Sequence, residues 1–262
     1  MSAGFTQRYG PWAVVAGASV GLGAAFATEL ASRGLNLILV ARRHEPLAQL
    51  ASALPTRTIT VAADLATMEG IEETCAAAAE VEVGLVVANA AYAPIGAFLT
   101  LDPAQVRQAV ELNCLAPMWL AQRLLPPMVA RGRGGFVVMS SLAGLQGTAP
   151  IAVYAATKAF GAVFAEGLWA QLRGTGVDVV TCLAGAVQTP GLAATKARRA
   201  PGTLPAAAVV RAALGGLGRG PRVVPGPLMR VSALVMSRLL PRRTAISMIS
   251  RASGDLTPPP VT

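Results

Sequence analysis

Tyr154 and Lys158 stand four residues apart, which on a helix puts a phenol and an ammonium on one face, about 6 Å apart along the axis. A cation so placed favours phenolate, and the pair suits proton transfer to or from an oxygen. Bringing a phenol from its usual pKa near 10 to neutrality takes ~3 units, or ~4 kcal/mol of differential stabilisation, which a second bound cation can share. Ser141, thirteen residues before Tyr154, can set a hydroxyl beside the same point and hydrogen-bond a carbonyl oxygen as it gains charge. Alone, a Tyr and a Lys at this spacing are more often an exposed phenol and a solvated amine. Their company, in order along the chain, gives them weight.

Several elements must position these groups. Val137-Val138-Met139 is a strand running into Ser140-Ser141. Gly144, Gly147 and Pro150 then mark a loop, and a helix starts near Val153. Near the N-terminus, Trp12-Ala13-Val14-Val15-Ala16 reads as a buried strand, followed by G-A-S-V-G-L-G and a helix carrying Ala24, Ala25, Phe26 and Leu30. Gly17, Gly21 and Gly23, with Ser19 among them, allow a tight turn and a close approach to phosphate at a helix N-terminus. The spacing is G-x-x-x-G-x-G, so the strand-turn-helix context carries the nucleotide reading. Leu35 to Val40 is the next strand, ending at Ala41-Arg42-Arg43. An acid there would bind a ribose 2′-hydroxyl and an arginine a 2′-phosphate, so Arg42 favours NADP(H); the plain alternative is a solvated strand end.

Thr58 to Ala62 ends at Asp64-Leu65, and Leu85 to Ala88 ends at Asn89-Ala90-Ala91. A cofactor lying across the carboxyl edge of a parallel sheet fits these strand ends. A helix from Gln105 to Leu115 holds Asn113 amid apolar residues, bonded internally in either a structural or a catalytic role. Val177 to Leu183 is a strand that leaves through Ala184 to Pro190. A flap spans 191–204, a helix 205–217, and a short strand Arg222 to Pro225. Beyond these, Leu228, Val231, Leu234, Val235 and Leu239 recur at helical spacing, with Arg230 and Arg238 opposite. The tail Pro258-Pro259-Pro260 is expected to be disordered.

Composition sets the frame. A chain of 262 residues, 53% hydrophobic and 13% charged, suits one α/β unit with helices on both faces of a buried parallel sheet. It reads as a dinucleotide-binding catalytic domain over 1–225 and a basic amphipathic extension of it over 226–262. Glycines interrupt the signal-like stretch from Arg8 to Ala27, and no apolar run reaches the ~18 residues of a membrane span. Cys75, Cys114 and Cys182 share no metal or redox spacing and suggest a reducing cytoplasmic setting. One histidine, His44, removes His-based triads and most zinc chemistry, so no metal is expected. Residues 196–251 carry eleven basic side chains and no acidic one, so the net charge of +9 lives in the last quarter.

The ordered set of residues resembles the short-chain dehydrogenase/reductase family over roughly 10–225. The resemblance implies a Rossmann-type doubly wound sheet and a catalytic set of Asn113, Ser141, Tyr154 and Lys158. It makes Gly17, Gly21 and Gly23 the cofactor turn, Asp64 the adenine contact, and Asn89-Ala90 a strand-stabilising motif. The resemblance also implies that Thr189 lies near the nicotinamide carboxamide and that Lys158 binds the nicotinamide ribose. Ala16, Ala91 and Ala184 depart from the usual threonine, glycine and proline, which bears on loop stiffness and cofactor affinity. Y-G-P-W-A-V-V-A-G-A-S and A-S-R-G-L-N-L-I-L-V-A-R-R resemble the branch of 17β-hydroxysteroid and long-chain 3-oxoacyl reductases. The expected activity is hydride transfer between NADP(H) and a carbonyl or secondary alcohol of an apolar substrate, steroid-like or acyl, by a homodimer or homotetramer. A 3-oxoacyl-thioester reductase is the alternative. From another class come a cofactor-sensing protein, which would tolerate loss of the tetrad, and a binder of an anionic membrane surface or acyl carrier through the basic quarter. Nucleic acid is not expected, since few aromatic residues accompany the charge.

Overall fold

The computed structural model describes residues 2–189 and 202–252. Its strands are β1 (Trp12–Ala16), β2 (Asn36–Ala41), β3 (Thr58–Ala62), β4 (Val83–Ala88), β5 (Gly134–Ser141), β6 (Val177–Ala184), β7 (Val187–Gln188), β8 (Leu204–Pro205) and β9 (Arg222–Val223). Seven of them form one parallel sheet in the order β3-β2-β1-β4-β5-β6-β9, while β7 and β8 pair separately. This is the Rossmann-type doubly wound arrangement. The strand order reverses between β1 and β4, so the chain leaves these neighbours in opposite directions and opens a crevice at their carboxyl ends.

The helices are α1 (Ser2–Tyr9), α2 (Gly21–Ser32), α3 (His44–Ser52), α4 (Met68–Ala79), α5 (Pro103–Val110), α6 (Ala116–Arg131), α7 (Ala152–Gln171), α8 (Ala206–Gly216), α9 (Pro227–Leu234) and α10 (Arg242–Ala252). Alternation along the strands sorts the core into two layers. Ala13, Val15, Leu37 and Leu39 pack with Phe26 and Leu30 of α2 and Val210 and Leu214 of α8. Val14, Ala16, Ile38 and Val40 pack with Ile71 of α4 and Leu120 and Met128 of α6. Each fully buried large side chain contributes roughly 1.5–3 kcal/mol.

Three features were not legible in the sequence. The expected helix from Gln105 to Leu115 is α5 followed by a π turn, Glu111–Leu115, that runs straight into α6. Helix α1 precedes β1 and is tied down by the Tyr9 hydroxyl, which donates to Asp178 at 2.6 Å, and by Arg133, which donates to the Gln7 carbonyl at 2.7 Å. The segment Ala149–Gln171 is long and apolar enough to cross a membrane by length and composition. In this fold it includes α7, which packs on β5 and β6.

Candidate active site

Ser141 ends β5, and Tyr154 and Lys158 lie one turn apart on α7. The intervening loop is clamped to that helix. A Cβ on Gly144 would come within 2.7 Å of the Ala159 nitrogen, so only glycine lets the loop lie this close. The Ser140 hydroxyl, buried beneath, donates to the Lys158 carbonyl at 2.7 Å. The ladder between β4 and β5 stops at Ala88 and Val138. One residue further, the Met139 carbonyl accepts from Lys158 Nζ at 2.8 Å.

The electrostatics differ from the sequence expectation. Burial pushes the Tyr154 phenol above its ordinary pKa, and a hydrogen bond with Ser141 opposes the rise. Lys158 was expected to lower it, but its ammonium is turned to Met139 and lies 5.6 Å from the centre of the Tyr154 ring. Lys158 is only 6% exposed. Burial lowers its pKa to about 8, with Cys114 opposing.

Asn113 sits in the π turn, 5% exposed. Its Oδ1 accepts from the Tyr92 nitrogen at 2.8 Å, and its Nδ2 donates to the Tyr92 carbonyl at 2.8 Å and the Thr157 hydroxyl at 2.9 Å. These bonds join the strand-end loop after β4 to α7. A small cavity of about 10 Å³ borders Asn113, Thr157 and Lys158, room for one water.

The glycine turn lies on the opposite side of the crevice. Gly17 and Gly21 have φ of 72° and 61°, values glycine adopts without strain. A Cβ on Gly17 would lie 2.8 Å from the Ala90 Cα, and one on Gly23 would overlap the Gly17 carbonyl. Asn89 Nδ2 donates to the carbonyls of Ala16 and Gly17 at 3.1 and 3.2 Å, which pins the turn to the end of β4. No side chain caps α2 at Val20, leaving its first backbone N–H groups for an anion. Ser19 is part of this turn and partly buried. Arg42 is exposed one residue beyond β2 and makes no ion pair among the described residues; the Gly17 and Ala18 nitrogens bond the Val40 carbonyl beside it. Asp64 follows β3 and accepts from the Ala66 nitrogen at 3.0 Å. Thr189 lies against Gly21.

Between these two sides opens a cavity of about 770 Å³. Asn89, Ser141, Tyr154, Lys158 and Thr189 line it together with mainly apolar side chains. Asn113 borders only the small cavity behind Lys158, and Gly17, Gly23, Arg42 and Asp64 lie outside the large one. Four wall residues the sequence did not reveal, Met229, Ser232, Ala233 and Met236, come from α9 and the π turn Val235–Leu239. Periodicity had marked the other face of this segment. Leu228, Val231, Leu234 and Leu239 are 52–68% exposed, because the mixed face, and not the continuous apolar one, covers the site. Helix α10 braces the cover: Arg242 donates to the Leu145 carbonyl at 2.8 Å, and the Ala149 nitrogen to Ser250 Oγ at 3.1 Å. Gln146 and Thr148, also in the wall, are missed residues with no periodic signal to find them. The expected flap cations Lys196, Arg198 and Arg199, and the tail Pro258-Pro259-Pro260, lie outside the described residues.

The family profile described as short chain dehydrogenase matches residues 11–200. A 7beta-hydroxysteroid dehydrogenase of Clostridium sardiniense is 33% identical over 190 residues, 71% of this chain and 73% of that one. A very-long-chain 3-oxoacyl-CoA reductase of Podospora anserina is 34% identical over 222 residues, 80% of this chain. The match spans 64% of that relative's length. Among solved structures, a short-chain dehydrogenase from Sphingobium yanoikuyae in complex with NADPH superposes with a TM-score of 0.77 at 29% identity, over 87% of this chain and 93% of that one.

Proposed function

The chain belongs to the short-chain dehydrogenase family of oxidoreductases, and from that premise we propose that it moves hydride between NADP(H) and a carbonyl or secondary alcohol of an apolar substrate. The observation that carries this reading is the convergence of Ser141, Tyr154 and Lys158 on one mainly apolar cavity at the carboxyl edge of the sheet. The names of the relatives, a hydroxysteroid dehydrogenase and a 3-oxoacyl-CoA reductase, agree with it.

The chain's residues fit a dinucleotide. Gly17 and Gly23 hold backbone where any Cβ would collide, and the uncapped start of α2 faces the crevice. Arg42, with no carboxylate partner among the described residues, follows the second strand, where a 2′-phosphate would need a cation. When bound, NADPH supplies the hydride. Ser141 and Tyr154 hold the substrate oxygen from one side, fixing the carbonyl for attack. The raised pKa keeps the Tyr154 phenol protonated at neutral pH, so it enters the reductive reaction as the donor, and a developing alkoxide is basic enough to take its proton. Lys158, with a pKa of about 8, exchanges protons readily near neutrality. The small cavity between it and Asn113 gives a path for reprotonation through water. Asn113 is a positioning residue whose side-chain bonds hold that path in shape.

Steady-state kinetics test the cofactor. NADPH is expected to exceed NADH by at least about tenfold in kcat/KM, and Arg42→Asp to abolish or invert that preference by charge repulsion. Equal use of both by the unaltered protein would contradict the reading.

The exposed apolar stripe supports a second element of this function, namely action at an anionic membrane surface. Leu228, Val231, Leu234, Leu239 and Met248 stand in solvent, among the exposed Arg230, Arg238, Arg243 and Arg251, in a stretch without one acidic residue. A face that is both apolar and basic matches the boundary of an anionic bilayer.

A further inference from the structure

Thr157 lies on α7, three residues after Tyr154 and one before Lys158, and is 4% exposed. Its hydroxyl donates to the Tyr154 carbonyl at 2.9 Å. A threonine inside a helix often makes such a bond, and by itself it says nothing of function. Here the same oxygen also accepts from Asn113 Nδ2 at 2.9 Å, across 44 residues of sequence.

The bonds of Asn113 leave its amide no freedom. The Tyr92 nitrogen can only donate and the Tyr92 carbonyl only accept, which sets Oδ1 on the first and one Nδ2 hydrogen on the second. The other Nδ2 hydrogen goes to Thr157, whose own hydrogen is already given to Tyr154. A chain of bonds thus runs from the loop after β4 through Asn113 and Thr157 into the backbone of Tyr154. The small cavity of about 10 Å³ lies against this chain. Among its lining residues only Asn113, Thr157 and Lys158 have side chains with nitrogen or oxygen. A buried water is held by about three hydrogen bonds, so the loss of one polar group in three loosens it. Thr157 borders this cavity and not the large one, so it does not touch the substrate.

We propose that Thr157 is a positioning residue for the return of a proton to Tyr154, holding the Asn113 amide and, through it, a water beside Lys158. This rests on the reductase reading and deepens it. In each reductive turnover the Tyr154 O–H bond breaks and an O–H bond forms on the substrate oxygen. The phenolate left behind recovers a proton that comes from solvent by way of the cavity water and Lys158. Loss of the Thr157 hydroxyl leaves an Asn113 N–H buried without its acceptor. The first proton transfer is spared, because Tyr154 enters it protonated, and the recovery is slowed.

Thr157→Val keeps the branched shape and removes the hydroxyl. With NADPH and a ketone, its first turnover is expected at the wild-type rate, while steady-state kcat falls about tenfold or more. KM should fall in step, so that kcat/KM holds, and kcat should become more sensitive to D2O. Thr157→Ala should give the same split, and Thr157→Ser should recover most of kcat. In the cofactor-free protein, hydrogen exchange of the Asn113 side-chain amide, followed by NMR, is expected to quicken about tenfold in Thr157→Val and to stay slow in Thr157→Ser. An unchanged kcat, or unchanged exchange at Asn113, would overturn the proposal. So would a first turnover slowed as much as the later ones, which would give Thr157 a part only in placing Tyr154. A wild type that reduces no ketone with NADPH would instead remove the reductase reading, and this inference with it.

Discussion

Lys158 shows how one buried side chain ties stability to chemistry. In the fold it loses its proton at about pH 8, whereas its ordinary pKa is 10.5. Between those values the unfolded chain holds more proton, so the free energy of unfolding rises with pH across that interval. Below pH 8 the folded protein carries the full cost of the buried ammonium, about 3 kcal/mol. Melting temperatures from pH 7 to 10 are expected to show a rise in the wild type relative to Lys158→Met. Parallel curves for the two proteins would mean that the ammonium is not penalised. The identity of this residue and its spacing from Tyr154 were legible in the sequence. The direction in which its ammonium points was not, because the Met139 carbonyl reaches it from a strand nineteen residues away.

Among the elements, the strands and the glycine turn were the most legible, since apolar runs bounded by Gly17, Gly21, Asp64 and Asn89 fix where a strand must end. Asn113 was read as internally bonded, but not as part of a π turn. Its partners, Tyr92 and Thr157, lie 21 and 44 residues away. The C-terminal helices show the limit of periodicity: it finds the apolar face of α9 and cannot say which face turns inward. The exposed stripe leads to an expected outcome for membranes. The protein should co-sediment with vesicles of phosphatidylcholine and phosphatidylglycerol more than with phosphatidylcholine alone, and less as salt is added. Val231→Asp and Leu234→Asp together should release it while leaving turnover of a soluble ketone intact. Equal binding to both vesicle types would remove the electrostatic part of the claim. Persistence as a larger species without lipid, lost in the double variant, would give the stripe to a second copy of the chain.

At the scale of the molecule, the sheet order explains why residues from distant parts of the chain meet. The reversal between β1 and β4 sets the glycine turn beside Asn89, and β5 and β6 carry Ser141 and the loop of Thr189 to the same edge. Composition called for helices on both faces of a parallel sheet and the family resemblance for its doubly wound form, but the order of the strands is seen only in the structure. Nor could the sequence show that residues 227–252 return to cover the cavity, because that closure rests on long-range contacts such as Arg242 with Leu145. The central claim is that this architecture exists to place the Tyr154 phenol on a substrate oxygen next to a bound nicotinamide. Tyr154→Phe removes one hydroxyl and little packing, so it tests the claim most directly. Single-turnover reduction of a ketone by Tyr154→Phe is expected to slow by about a thousandfold, with the Kd for NADPH unchanged. Reduction at a near-normal rate, or loss of NADPH binding in step with the rate, would contradict it.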